Sequence, residues 1–186
     1  MPNKQALREL YFTKRKSLRP EVLETASATI LDHVISENLI DQGLLMMFLG
    51  SSAHFELPME KWFEYFEQHQ ICVPKVVDSK GHMEAVCWEK GQSLLPNKWG
   101  ILEPQGNSFI PPENIKTVIV PMLCFDLNGH RVGYGKGYYD RFLFRCATRV
   151  KTIGLSFYDP IETIEDVTSN DYSLDIAITP KKVYLF

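Results

Sequence analysis

The most informative part of the chain reads Val120-Pro-Met-Leu-Cys-Phe-Asp126-Leu-Asn-Gly129-His-Arg131-Val-Gly133-Tyr-Gly135-Lys136-Gly137-Tyr138-Tyr139-Asp140-Arg141. It starts at the β-branched run Thr117–Val120, which is typical of a strand inside a parallel sheet, and it ends in a predicted helix, Tyr138–Thr148. Three glycines at alternate positions, 133, 135 and 137, lie between them. Glycine tolerates positive φ and lets the backbone approach a ligand closely, so successive N–H groups of this loop can point at one anion.

Charged side chains flank the three glycines. Arg131 and Lys136 supply the full positive charges that a triphosphate requires, and the predicted helix start adds its partial positive charge. Asp140 either binds Mg²⁺ beside the phosphates or stabilises the helix N-terminus. The loop is neither the G-x-x-x-x-G-K-S/T P-loop, since Gly137 follows Lys136, nor the G-x-G-x-x-G dinucleotide fingerprint. A tight hairpin with several positive φ values is the alternative.

Strands and helices alternate along the rest of the chain. Three helices are predicted. The first covers residues 3–17, and the third runs from Pro58 to about His69. The second begins at Pro20 and carries Val22, Ala26, Ile30 and Val34 at helical spacing. Strands are predicted at Leu44–Leu49, Ile71–Val77, Met83–Trp88, Thr117–Val120, Lys151–Ser156, Asp175–Thr179 and Val183–Phe186. The segment Glu89–Pro112, rich in Gly, Pro and Asn, predicts a long loop. This order predicts an α/β fold, one three-layer domain over residues 1–186 with a mostly parallel sheet and helices on both faces.

Composition places the chain among globular proteins that stay out of the membrane. It has 186 residues, of which 45% are hydrophobic and 23% charged. No apolar run approaches the roughly 18–20 residues of a membrane-spanning helix, and the N-terminus lacks the apolar core of a secretory signal. The four cysteines show no metal-binding spacing and predict reduced core thiols. We therefore expect a cytoplasmic protein.

Charge is unevenly distributed along the chain. Residues 1–19 contain six basic side chains and one acidic one, a balance of +5, whereas the rest carries 14 basic and 22 acidic residues. A basic segment on an acidic body indicates a site for a small anion, and a solvated helix face is the alternative. The net charge of -3 argues against a nucleic-acid partner.

The loop resembles the signature of the 5-formyltetrahydrofolate cyclo-ligase (5,10-methenyltetrahydrofolate synthetase) family. Other stretches resemble that family in the same order along the chain. They are Lys4-x-x-x-Arg8, the loop Phe48–Glu56, Trp99-Gly100-Ile101-x-Glu103-Pro104 and Asn170-Asp171-x-x-x-Asp175. The resemblance implies a Rossmann-like domain of the kind found in CoA transferases. It also implies MgATP-dependent conversion of 5-formyltetrahydrofolate to 5,10-methenyltetrahydrofolate, with release of ADP and phosphate.

The resemblance also implies roles for individual residues. ATP would contact Lys4, Arg8 and the loop Arg131, Val132, Gly133, Tyr134, Gly135, Lys136, Gly137, Tyr138, Tyr139 and Asp140. Arg131, Lys136 and Asp140 would take part in catalysis, and Asp140 and Asp171 would bind Mg²⁺, the one metal expected. The folate would contact Ser51, Glu56, Trp99 and Tyr138. The resemblance implies a monomer whose partners are ATP and the folate, with neither nucleic acid nor membrane.

One departure from the family pattern concerns Tyr134, which stands where some members have arginine. Its hydroxyl can donate a hydrogen bond to a phosphate but carries no charge at neutral pH.

Two other functions remain open from the residues alone. One is a kinase or ligase of the same fold that acts on another small carbonyl or amide compound. The other is a non-catalytic regulator that binds nucleotide or RNA through the basic N-terminal helix.

Overall fold

The structure is a computed structural model that describes residues 2–78, 80, 82–97, 100–106, 108–146 and 150–186. Its helices are α1 (Lys4–Lys16), α2 (Pro20–Ser36), α3 (Glu60–Tyr65) and α4 (Tyr138–Leu143). Its strands are β1 (Leu44–Met46), β2 (Ile71–Val76), β3 (Met83–Cys87), β4 (Leu94–Pro96), β5 (Leu102–Pro104), β6 (Phe109–Ile110), β7 (Ile115–Pro121), β8 (Cys124–Phe125), β9 (Arg131–Val132), β10 (Lys151–Leu155), β11 (Ile176–Ile178) and β12 (Val183–Leu185). Trp99 and the predicted helix end Thr148 lie outside the described residues.

The main sheet has the strand order β12-β11-β10-β7-β1-β2-β3-β6. The strands from β11 to β2 run parallel, while β12, β3 and β6 pair antiparallel at the two edges. Because β7 is interior and covered on both faces, its apolar residues form a continuous run rather than an alternating one. The prediction of a mostly parallel sheet is confirmed.

Helices cover both faces of this sheet. Successive side chains of a strand point to opposite faces, so neighbouring residues of β7 enter different layers. Ile119 packs in one cluster with Ile30 of α2 and Trp62 of α3. Val118 packs in another cluster, which contains Phe142 of α4. The predicted α/β architecture with helices on both faces is therefore confirmed.

The first helix is where residues 3–17 predicted it, but a different face of it is buried. Asn3 caps the helix by accepting a hydrogen bond from the backbone of Ala6. The spacing of Leu7, Leu10 and Leu18 predicts one apolar stripe on this helix, yet Leu10 is 49% exposed. The buried stripe is instead Leu7, Tyr11 and Arg15, spaced four residues apart. A charged residue therefore occupies a position in the core stripe.

Other elements are shorter or more regular than the sequence predicts. The apolar run Leu44–Leu49 forms only the three-residue strand β1, and the helix predicted from Pro58 is limited to α3. The segment Glu89–Pro112 is more than a loop, because β4 pairs with β5 and β6 joins the edge of the main sheet. Short strands of this kind lack the alternating pattern that would distinguish them from a loop.

The four cysteines are free thiols, as predicted. Cys72 and Cys124 are buried, and burial raises the pKa of both thiols to about 12. Cys87 and Cys146 are only half-buried, so the prediction of core thiols fits the first pair better than the second. No helix among the described residues is long and apolar enough to cross a membrane.

Candidate active site

The glycine loop rests on a hairpin that one buried carboxylate organises. Strands β8 and β9 pair antiparallel, and Asp126 follows β8. Its side chain is 0% exposed and accepts hydrogen bonds from the backbone N–H groups of Asn128, His130 and Ile164 at 2.9–3.1 Å. Satisfying these buried donors fixes the turn before β9. The hairpin of β8 and β9 therefore ends just before the three glycines, and the role of the glycine loop as an anion site stays a prediction.

Gly135 allows the loop to approach the first helix closely. Its φ is +88°, and a Cβ atom there would lie 3.0 Å from the guanidinium carbon of Arg8. Arg8 Nε donates a hydrogen bond to the carbonyl of Gly133 at 2.9 Å. The positive φ and the close approach both require glycine. The loop and the N-terminal basic segment, far apart in the sequence, are thereby joined.

Two ion pairs hold the predicted nucleotide residues together. Arg131 donates to Asp140 Oδ1 at 2.6 Å and also to the carbonyl of Tyr172. Lys4 Nζ lies 2.5 Å from Asp171 Oδ2. Although burial raises the pKa of Asp171, hydrogen bonds from Lys4 and Thr168 leave it below its usual value. Asp171 is consequently held in its charged form.

The two aspartates expected to bind Mg²⁺ lie on adjoining pieces of backbone. Asp140 Oδ1 accepts a hydrogen bond at 3.2 Å from the amide of Tyr172, the residue that follows Asp171. Within the described ranges, no group of three or more His, Cys, Asp or Glu residues is arranged to hold a metal ion. Mg²⁺ commonly takes one or two protein carboxylates and completes its coordination with phosphate and water. A pair of carboxylates beside an anion loop fits that donor set.

A cavity of about 650 Å³ joins these features to the loop after β1. Its walls contain most of the predicted site residues, namely Lys4, Arg8, Glu56, Arg131, 133–140 and Asp171. Among the described residues, two of the predicted ones are not part of the walls. Val132 is buried in the core, and Ser51 contributes its side chain to His54 through a 2.8 Å hydrogen bond between Oγ and Nδ1. The volume is typical of a site for small ligands.

Glu56 forms the other polar end of the cavity. The hydroxyl of Tyr134 donates to Glu56 Oε1 at 2.7 Å and accepts from Arg15 Nη1 at 2.9 Å. Burial raises the pKa of Glu56, while the Tyr134 hydrogen bond and the Arg15 and His54 charges oppose that rise. Burial and the nearby Glu56 raise the pKa of Tyr134 well above its usual value, so the phenol stays protonated. Tyr134 thus faces the carboxylate of Glu56.

The two tyrosines at the start of α4 differ in their contacts. Tyr138 donates a hydrogen bond at 3.0 Å to the carbonyl of Asp78, in the turn after β2. The hydroxyl of Tyr139 is buried without a hydrogen-bond partner in the described part of the chain. Lys136 precedes them and is exposed at the cavity wall. Of these three side chains, Lys136 is the one whose donor group is exposed to a ligand in the cavity.

Sequence reasoning missed part of this site. Apolar side chains such as Val76, Met83 and Leu123 line the cavity, yet each looks like an ordinary core residue in the sequence. Arg15 was not selected either. Leu7, Tyr11 and Arg15 are spaced four residues apart, which would place Arg15 on the buried face of α1 if the buried stripe contained Tyr11 rather than Leu10.

Comparisons with known proteins agree with this geometry. The model of the 5-formyltetrahydrofolate cyclo-ligase family matches residues 1–180. A mitochondrial 5-formyltetrahydrofolate cyclo-ligase from Arabidopsis thaliana is 30% identical, with 92% of this chain and 73% of that protein covered. A probable 5-formyltetrahydrofolate cyclo-ligase from Schizosaccharomyces pombe is 30% identical over 131 residues, 63% of this chain and 64% of that protein.

A solved structure gives the same result for the fold. The NMR structure of Aquifex aeolicus 5,10-methenyltetrahydrofolate synthetase matches with a TM-score of 0.82 and 25% identity, covering 98% of this chain and 92% of that chain. The family match extends over nearly all of the sequence and includes both polar ends of the cavity. The chain is therefore an enzyme of the 5-formyltetrahydrofolate cyclo-ligase family.

Proposed function

We propose that the enzyme uses MgATP to convert 5-formyltetrahydrofolate to 5,10-methenyltetrahydrofolate, with release of ADP and phosphate. The N5-formyl group is a poor electrophile, because its carbonyl is amide-like. Its oxygen attacks the γ-phosphorus of ATP and ADP leaves, which turns that oxygen into part of a good leaving group. N10 then attacks the formyl carbon to close the ring and loses its proton, and the C–O bond breaks to release phosphate, which carries that proton away.

The nucleotide half of the site consists of the two ion pairs and the glycine loop. Lys4, Arg8 and Arg131 bind the phosphates, and N–H groups of the loop point at the same anion. Asp140 and Asp171 would hold Mg²⁺, which would neutralise charge on the phosphates. Lys4 and Arg131, whose side chains pair with these two carboxylates, would then pair with phosphate oxygens. The protein thus enters the reaction with its charges already in position.

The folate half of the site lies around Glu56. The pterin ring carries N–H donors, for which the half-buried carboxylate of Glu56 is the matching acceptor. The apolar wall beside it suits the flat face of the ring. Tyr138 and Lys136, between the two halves, are placed to contact the reacting phosphoryl group or the formyl oxygen. Ser51 supports this half through His54, and Trp99 is proposed as a folate contact from the resemblance alone.

The observation that carries the proposal is that one cavity holds both the glycine loop with two cation–carboxylate pairs and, apart from them, the half-buried acid Glu56. Two ligands of different chemistry fit such a cavity, one rich in phosphate and the other rich in N–H donors. A regulator that only binds a nucleotide has no need for the acidic end of the cavity around Glu56. A kinase for an unrelated carbonyl compound has no need for an acid at that position.

Absorbance tests the proposed activity directly. The protein is mixed with MgATP and 5-formyltetrahydrofolate, and the near-ultraviolet band of the methenyl product is followed together with ADP release. We expect product and ADP in equal amounts, and no product when either ATP or Mg²⁺ is omitted. ADP release without the methenyl band would favour a different acceptor. Absence of both with folded protein would contradict the proposal.

Lys4→Ala is expected to raise the KM for ATP by about 10-fold or more, because it removes a charge-assisted contact to phosphate. Lys16→Ala is the matched control, since it removes the same charge from the other end of α1, outside the cavity. Steady-state kinetics at varied ATP concentration measures both. Equal KM values for ATP in the two variants would mean that α1 serves only as scaffold.

A further inference from the structure

A series of polar contacts runs from the interior of the protein to the folate half of the cavity. Arg15 Nη1 donates to the hydroxyl of Tyr134 at 2.9 Å, and that hydroxyl donates to Glu56 Oε1 at 2.7 Å. The other terminal nitrogen of Arg15 donates to the carbonyl of Met122. Glu56 and Tyr134 line the cavity, whereas Arg15 does not and is only 2% exposed. We call these three residues the Arg15–Tyr134–Glu56 relay.

Packing alone does not account for an arginine at this position. A buried guanidinium loses its hydration, and this loss is costly unless opposite charge and hydrogen bonds replace it. The ring of Phe157 lies 5.1 Å from the guanidinium carbon, but Arg15 Nε has no hydrogen-bond partner in the part of the chain that the structure describes, so the replacement is incomplete. Leu7 and Tyr11, earlier on the same stripe, fill their positions without a formal charge. The charge of Arg15 therefore acts on something within its reach.

The acidic group in this series of contacts is the Glu56 carboxylate, which Arg15 reaches through the hydroxyl of Tyr134. Burial raises the pKa of Glu56, and the Tyr134 hydrogen bond and the Arg15 charge lower it again. The other titratable groups that face Glu56 are His54, from the turn after β1, and Tyr139, from α4. An ionised carboxylate accepts hydrogen bonds at both oxygens, while a protonated one turns an oxygen into a donor. A ligand with N–H donors needs the ionised form.

We propose that Arg15, acting through the hydroxyl of Tyr134, is a positioning residue that fixes the Glu56 carboxylate as the acceptor for the N–H donors of the pterin ring. The proposal rests on the proposed function, because the pterin is the ligand in question. It assigns the Tyr134 hydroxyl to the folate half of the site and leaves the phosphates to Lys4, Arg8, Arg131 and the loop backbone. It also gives the buried charge of α1 a role in substrate recognition.

Tyr134→Phe tests the relay because it removes one hydroxyl and leaves the ring in place. The dissociation constant for 5-formyltetrahydrofolate, measured by quenching of tryptophan fluorescence without ATP, is expected to rise about 10-fold or more. The KM for ATP is expected to stay close to that of the wild type. Tyr158→Phe is the matched control, since its buried hydroxyl has no hydrogen-bond partner in the described ranges and lies outside the cavity.

The pH dependence separates positioning from a merely structural role. Acid weakens folate binding once Glu56 becomes protonated, and losing the Tyr134 hydrogen bond raises the pKa of Glu56 further. Binding by Tyr134→Phe should therefore start to fail at a higher pH than binding by the wild type or Tyr158→Phe. Arg15→Met should shift the profile in the same direction, and Arg15→Lys should restore part of it by keeping the charge.

Several outcomes would overturn the relay. One is a Tyr134→Phe variant whose folate affinity and pH profile match those of Tyr158→Phe. Another is a variant in which the KM for ATP rises while folate affinity stays unchanged, which would make Tyr134 a phosphate ligand. Failure of the wild type to bind the folate would overturn it as well. Tight folate binding without turnover would contradict the proposed reaction alone, since the binding measurement needs no catalysis.

Discussion

Asp140→Asn is expected to lower kcat with MgATP by about 100-fold or more while changing the free energy of unfolding little. Asparagine keeps the shape of the side chain and can still accept the hydrogen bond from the Tyr172 amide. It removes the negative charge that faces Arg131 at 2.6 Å and that we propose holds Mg²⁺. The metal requirement should therefore change too, with more Mg²⁺ needed for half-maximal rate.

Urea denaturation and a Mg²⁺ titration of the rate measure these two effects separately. Asp32→Asn serves as the control, because it makes the same substitution at an exposed position of α2, outside the cavity. A wild-type rate and an unchanged Mg²⁺ requirement in Asp140→Asn would remove Asp140 from the metal site. A large loss of stability would instead identify its contact with Arg131 as mainly structural.

The nucleotide half of the site could be predicted because its signal is local. Gly133, Gly135 and Gly137 lie within five consecutive residues, and their chemistry follows from backbone freedom and from the charges beside them. The sheet was predictable for a similar reason, since residues 117–120 of β7 form an unbroken β-branched run. Both features depend on neighbours in the sequence, which a single chain reveals directly.

The contacts of Tyr134 could not be predicted, because they depend on which face of α1 is buried. Leu10 and Arg15 would exchange roles if α1 were rotated about its axis, and hydrophobicity alone favours burying the leucine. Tertiary packing decides otherwise, since burying Arg15 brings its guanidinium to Tyr134 and the carbonyl of Met122. Glu56 is 78 residues from Tyr134 in sequence, so their contact left no local signal.

Arg131→Lys is expected to lower kcat/KM for ATP by about 100-fold although it preserves the charge. The arginine contacts Asp140 and the carbonyl of Tyr172 with different nitrogens of one rigid plane, and its side chain is only 5% exposed. A lysine ammonium is a single point and cannot make both contacts while also facing a phosphate.

Arg145→Lys is the matched control for this substitution. Arg145 also combines a carboxylate, Glu84, with a backbone carbonyl, that of Met83, but it lies outside the cavity. Its replacement by lysine should leave kcat/KM for ATP within about twofold of the wild type, because partly exposed ion pairs contribute little. If Arg131→Lys behaved in the same way, the geometry of the Arg131 guanidinium would be irrelevant and its charge alone would suffice. A loss confined to Arg131→Lys would mean that the planar contact between β9, α4 and the segment after Asp171 aligns the phosphate site for catalysis.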